Sequence, residues 1–258
     1  MLRTKEKRNK ASALSPEEQK SVIGDQLNFA GAEAYRRLRA NLDFSFSDRK
    51  DCRIIGVTSS LRGEGKSTTS INLAYTIAQT GKKVLLIDGD MRLPTVAKMV
   101  ELQPSPGLSN LLVGASTEND VIQKQTKLGG SLHVVTAGDI PPNPSELLGS
   151  EQMLRVLQRF SEDYQYIVVD LPPVGAVADA LVMAKRVDGM VVVVRQNYCA
   201  RQDLANTMQQ LQLSNVKILG LVMSRATIET KGYRKYKKYG GNYRYGDNKS
   251  AKRANSDE

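Results

Sequence analysis

The sequence predicts an α/β fold in three layers, with a central, mostly parallel sheet and helices on both faces. Short, β-branched apolar runs alternate with helical patterns along most of the chain. Those runs are nearly continuous in apolar residues, the pattern of strands covered on both faces. At 258 residues, 40% of them hydrophobic, the chain is long enough to bury the core that such an arrangement needs.

Residues 1–30 are polar without sustained periodicity and read as a mobile basic arm. Residues 31–46 read as a helix with Ala34, Leu38 and Leu42 on one face. Strands follow at 54–58, 84–88, 132–136, 166–170, 189–194 and 218–223, and helices near 67–80, 150–161, 178–187 and 200–213. A globular domain therefore spans 31–230. Residues 231–258 are poor in aliphatics and rich in Lys, Gly and Tyr, a composition expected to be disordered.

The net charge of +10 is uneven: residues 1–20 carry +3 and residues 231–258 carry +6, leaving +1 for the rest. The basicity therefore lies in the tails, which suits solvent, an anionic membrane surface or nucleic acid. No apolar run approaches the ~18–20 residues of a membrane span, and the basic start lacks an apolar stretch behind it, so neither a span nor a signal peptide is expected. A cytoplasmic protein follows. Cys52, Cys199 and His133 form no disulfide framework and no metal cluster, and read as packing residues.

The first strand runs into Ser60-Leu61-Arg62-Gly63-Glu64-Gly65-Lys66-Ser67-Thr68 and then a helix. This is a Walker A loop in its strand–loop–helix setting, and it makes the predicted fold a P-loop NTPase fold. Gly63 and Gly65 let backbone amides converge on phosphate oxygens, and the helix N-terminus adds its own amides. Lys66 neutralises the β and γ phosphates and Ser67 is placed to ligate Mg²⁺, so ATP and Mg²⁺ are the expected cofactors. Ser60 stands where the strict pattern has Gly, and Arg62 either contacts phosphate or points to solvent. Ser60, Arg62, Gly63, Glu64, Gly65, Lys66, Ser67 and Thr68 make up the expected phosphate-binding set.

Two further strands end in acids, at Asp88-Gly89-Asp90-Met91-Arg92 and at Asp170. Strand C-termini face the ligand crevice of an open α/β sheet, so Asp88, Asp90 and Asp170 are expected beside the phosphates. With Lys66 they form the expected catalytic set. Asp170 has the position of a Walker B acid, and Ser67, Asp88 and Asp170 are the expected metal residues. Either Asp88 or Asp90 can serve as the base that takes the proton of the nucleophile.

These motifs together resemble the bacterial tyrosine kinases of the P-loop type, over about residues 31–245. The acid-x-acid-x-Arg pattern at 88–92 is similar to that family's second Walker motif, as are Pro-Thr at 94–95, GLSNLL at 107–112, GDIPPNPSELL at 138–148 and DLPP at 170–173. The resemblance is strongest to the stand-alone form of Gram-positive capsule and exopolysaccharide systems. It implies a kinase recruited to the inner membrane face by a transmembrane adaptor that activates it, opposed by a tyrosine phosphatase, and acting on other pathway proteins. It also implies a ring, an octamer in known members, joined through an E-x-x-R-x-x-R motif matched here by Glu33, Arg36 and Arg39.

Tyr233, Tyr236, Tyr239, Tyr243 and Tyr245 lie within thirteen residues, half of the chain's ten tyrosines. The resemblance makes them the autophosphorylation cluster. By composition alone, tyrosines interleaved with Lys and Arg also suit single-stranded nucleic acid; beside the catalytic motifs, no nucleic-acid partner is expected. Two rivals share the phosphate loop. A ParA- or MinD-like ATPase switch would carry a lysine early in the loop, where Leu61 and Arg62 stand. A nucleotide-dependent scaffold would not need all of Asp88, Asp90 and Asp170.

Overall fold

A computed structural model describes residues 23–48, 51–124 and 130–226. Its seven strands are β1 (Arg53–Ser59), β2 (Val84–Asp88), β3 (Ile122–Lys124), β4 (Leu132–Val135), β5 (Tyr166–Asp170), β6 (Gly189–Arg195) and β7 (Ile218–Ser224). They form one sheet in the order β3-β4-β2-β5-β1-β6-β7. Every neighbouring pair is parallel except β3 with β4. The longer helices are α1 (Phe29–Ser45), α2 (Lys66–Ala78), α7 (Glu151–Asp163) and α9 (Arg201–Leu213). Between them lie α3 (Val96–Met99), α4 (Leu108–Leu112), α5 (Glu118–Val121), α6 (Pro144–Gly149) and α8 (Asp179–Met183).

Alternation along the strands divides the core into two layers. Ile55 and Val57 of β1, Val84 and Leu86 of β2, Val168 of β5 and Val191 and Val193 of β6 pack beneath Leu42 of α1 and Ile71, Leu73 and Ile77 of α2. Leu85, Ile87, Ile167, Val169 and Val192 point the other way, against Met153, Val156, Leu157 and Phe160 of α7 and Met183 of α8. The i, i+3, i+4, i+7 spacing of the four α7 residues makes that helix amphipathic. Ser150 caps it by accepting the Met153 N–H at 3.1 Å.

Strands β2 and β5 have the bounds expected from the sequence; β1 is one residue longer at each end, and β4, β6 and β7 differ by one residue at their C-terminal ends. The departures have physical causes. Strand β3 is only three residues long and carries no alternation to read. The helix expected at 178–187 ends at Met183 and continues as a 3₁₀ turn, Ala184–Arg186. The run at 218–223 is not covered on both faces: β7 is the sheet's edge, and Leu221 and Met223 are more than half exposed.

The fold also begins before residue 31. Ile23 is buried in the core layer of α1 and α2, and the Gly24 N–H donates to Asn72 Oδ1 at 2.9 Å. Asn28 caps α1 by accepting the Gly31 N–H at 2.8 Å. At the far end of α1, Tyr166 donates its hydroxyl to Asp43 and accepts from Arg53 Nη1 at 2.7 Å. That pair ties the helix to the N-terminal edge of the sheet.

Candidate functional site

The site lies at the C-terminal ends of β1, β2 and β5, which the order β2-β5-β1 sets side by side. The phosphate loop turns at Gly63 (φ 78°) and Gly65 (φ 92°), a left-handed region that any residue with a Cβ resists. Neighbouring loops brace it. The Val174 N–H donates to Ser59 O at 2.9 Å and the Gly175 N–H to Ser60 O at 3.2 Å. Ser224 Oγ, at the end of β7, donates to Glu64 O at 2.5 Å.

Glu64 is itself part of the brace. Its buried carboxylate accepts the Leu61 N–H at 2.7 Å and the Arg195 N–H at 3.2 Å. Its side chain therefore folds into the loop, and only its backbone remains for a phosphate. Ser60 is buried, Thr68 half-buried, and Arg62 stands exposed at the rim.

The loop's tight fit yields a prediction. A Cβ on Gly175 would stand 2.5 Å from the backbone oxygen of Ser60. No flexible side chain can yield there, so the start of the phosphate loop must move. Gly175→Ala should cost about 1–3 kcal/mol of stability and raise the KM for ATP roughly tenfold, or about 1.4 kcal/mol. Steady-state kinetics with a thermal melt check both.

Asp88 and Asp170 are direct partners in the β2–β5 register, which places two buried carboxylates next to each other. Lys66, the first residue of α2, reaches across them. Its Nζ lies 2.9 Å from Asp90 Oδ2, 3.5 Å from Asp170 Oδ2 and 3.4 Å from Ser67 Oγ. Asp170 Oδ1 accepts from Ser70 Oγ at 3.0 Å. Asp88 faces the other way: its oxygens accept the N–H groups of Asp90, Thr95 and Val96 at 3.1–3.2 Å, which caps α3. Thr95 also donates its hydroxyl to Ser67 Oγ at 2.9 Å, so it stands between Asp88 and Ser67.

One ammonium facing three buried carboxylates leaves a deficit of positive charge, and it shows in the acid–base behaviour. Burial, then the charge of Asp170, pushes the Asp88 carboxyl up to about 7. Burial likewise raises Asp170 against the opposing pull of Lys66. Burial acts to lower Lys66, but Asp170 and Asp90 outweigh it and hold the ammonium more firmly protonated than usual. The folded protein thus retains a proton on Asp88 that the unfolded chain, with its ordinary value of 3.8, has already released. Stability from this group is present below about pH 4 and is lost as pH rises to about 7. The melting temperature of the ligand-free protein should fall across that window, and Asp88→Asn should flatten the fall.

The same deficit fits a divalent cation. Lys66 Nζ occupies, as a stand-in cation, the space between Ser67 Oγ and the carboxylates of Asp90 and Asp170. Among the described residues there is no group of three His, Cys, Asp or Glu that could hold a metal by itself. Mg²⁺ takes one or two protein ligands and completes its shell with water and substrate phosphates, a demand the oxygens around Lys66 Nζ can meet.

Three residues escaped sequence reasoning. Ser70 sits one turn beyond Lys66 on the inner face of α2, a spacing that could have marked it. Thr95 lay within a recognised motif but without a role. Asp179 reads as an ordinary helix-start acid, yet it is fully buried and receives Arg92 through two bonds, from Nε at 2.9 Å and Nη2 at 3.0 Å. Arg92 Nη2 also donates to Ser145 at 3.0 Å, which joins the loops after β2, β4 and β5.

Two other sets lie elsewhere. On α1, Glu33 and Arg36 pair with each other, while Arg39 donates to Thr76 O of α2 at 3.0 Å. The tail tyrosines lie outside the described residues.

The chain compares with known proteins as follows. The family model described as an AAA domain matches residues 52–219. The chain is 38% identical to tyrosine-protein kinase YwqD of Bacillus subtilis, over 75% of this chain and 80% of that protein. It is 35% identical to the putative tyrosine-protein kinase CapB of Staphylococcus aureus, over 85% and 93% respectively. Among solved structures, the kinase domain of the Escherichia coli tyrosine kinase ETK superposes with a TM-score of 0.73 at 33% identity, covering 82% of this chain and 83% of that one. With this sheet order, this phosphate loop and relatives matched over four-fifths or more of their length, the chain belongs to the bacterial tyrosine-protein kinase family.

Proposed function

We propose that the chain transfers the γ-phosphate of ATP to tyrosine hydroxyls, including Tyr233, Tyr236, Tyr239, Tyr243 and Tyr245 of its own tail. The observation that carries this reading is the grip of Asp90 and Asp170 on Lys66 at the mouth of the phosphate loop. When ATP enters the loop, its phosphates compete for the Lys66 ammonium. Lys66 then leaves Asp90 Oδ2, which becomes free to accept the tyrosine proton. The phenol oxygen forms a bond to the γ phosphorus, the bond from that phosphorus to the β–γ bridging oxygen breaks, and ADP departs with the electron pair.

Asp90 suits the base better than Asp88. Both Asp88 oxygens are committed to backbone N–H groups, whereas Asp90 Oδ2 is held only by the lysine that ATP recruits. Ser67 and Asp170 would hold Mg²⁺, with Asp88 adding negative charge behind them. The ion supplies charge neutralisation for the phosphates.

The wider reading follows what the motif resemblance implies. The kinase regulates capsular or exopolysaccharide synthesis and export from the cytoplasmic face of the membrane, where an adaptor recruits and activates it and a phosphatase reverses it. Its copies form a ring through Glu33, Arg36 and Arg39. Among the described residues no helix is long and apolar enough to cross a membrane, which suits recruitment by a partner. Changing the five tail tyrosines to Phe should reduce self-phosphorylation more than tenfold in a filter-binding assay with labelled ATP. Undiminished labelling of that variant would move the acceptor out of the tail.

A further inference from the structure

We propose that Leu93 is the contact for the aromatic ring of the acceptor tyrosine, selecting a phenol over a shorter aliphatic hydroxyl. The inference rests on the kinase reading above. The Leu93 N–H donates to Asp90 Oδ1 at 3.2 Å, so the residue is fixed directly beside the base. Asp90 is only 4% exposed, whereas Leu93 is 49% exposed. Its neighbours are otherwise engaged: Met91 is fully buried in the core, and Arg92 is held by Asp179 and Ser145. Leu93 is thus the large apolar side chain of this loop that stands in the open.

A hydroxyl can reach Asp90 Oδ2 only by descending from the surface to a nearly buried carboxylate. A phenol spans that depth with a rigid ring, and the ring then lies against whatever stands next to the carboxylate at the surface. An apolar wall there gains from covering the ring and offers nothing to a serine or threonine, whose backbone would have to follow its hydroxyl inward. The shelf does not drift, because the Leu93 amide is tied to Asp90 and the adjacent Arg92 is anchored twice to Asp179.

The test uses the full chain with its five tail tyrosines changed to Ala, so that no ring of its own competes. The acceptor is a synthetic peptide of residues 231–245, supplied with Mg·ATP. Leu93→Ser should raise the peptide KM about tenfold, the low end for losing an apolar pocket contact, with the KM for ATP changed less than twofold. Leu93→Met should stay within twofold of the parent on both. A peptide with Phe at every tyrosine should inhibit competitively, and its Ki should rise by the same tenfold in Leu93→Ser. An unchanged peptide KM and Ki would overturn the inference, as would an equal rise in the KM for ATP, which would make Leu93 a brace of the loop. If the parent leaves the peptide unphosphorylated even with the adaptor's cytoplasmic segment added, the kinase reading fails and takes this inference with it.

Discussion

Lys66→Met should lower the rate of phosphotyrosine formation by at least a thousandfold. Removing a single preorganised charge contact from a phosphoryl-transfer site typically costs about 3–4 kcal/mol of transition-state stabilisation. Here the loss is compounded, because Lys66 also holds Asp90 and Asp170 in the ligand-free protein. Without it, the buried carboxylates of Asp90 and Asp170 lose their cation while Asp88 lies close by. Breaking a buried ion pair from one side costs about 3–5 kcal/mol, and part of that is recovered if the acids take up protons. The variant should therefore melt well below the parent at pH 8 and come closer to it near pH 5. Lys66→Arg restores the charge without the compact ammonium, so it should regain more stability than activity. Parallel melts and phosphotyrosine immunoassays separate the two losses.

Asp179→Ala should damage both stability and rate, although the residue lies outside the phosphate loop and takes no part in the chemistry. It strips Arg92 of two hydrogen bonds and Ser145 of one, and it opens a void at a fully buried position. The Arg92 side chain is 38% exposed, so water recovers part of its loss. The net cost should be about 2–3 kcal/mol, a fall in melting temperature of roughly 5–10 °C for a domain of this size. Because Arg92 anchors the loop that carries Asp90 and Leu93, the rate should also fall about tenfold, the loss expected when a base is slightly misplaced. A double-mutant cycle of Asp179→Ala with Arg92→Ala should show strong coupling, the second change adding little to the first.

The parts of this molecule that were legible in the sequence are those ruled by local pattern. Strands β2 and β5 are covered on both faces, so their apolar runs stand out as continuous blocks, each closed by a buried acid, Asp88 or Asp170, at the strand's C-terminal end. The phosphate loop was legible because its glycines answer to backbone geometry. The rest depends on tertiary neighbours. Nothing in Glu64 itself reveals that its carboxylate turns inward to Leu61 and Arg195. Nothing in Asp179 reveals that it receives an arginine from a loop 87 residues away. Asp88 and Asp90 look equivalent in the chain. Only the amides of Thr95 and Val96 on one, and the Lys66 ammonium on the other, tell them apart.

The rivals that share this loop differ in one product. The protein should be incubated with ATP and Mg²⁺, with and without the cytoplasmic segment of the proposed adaptor, and its modified residues mapped by mass spectrometry. Phosphotyrosine at Tyr233, Tyr236, Tyr239, Tyr243 or Tyr245, absent from Lys66→Met, is the predicted result. Steady hydrolysis of ATP with no phosphotyrosine anywhere, even with the adaptor segment present, would contradict it and return the chain to the class of ATP-driven switches.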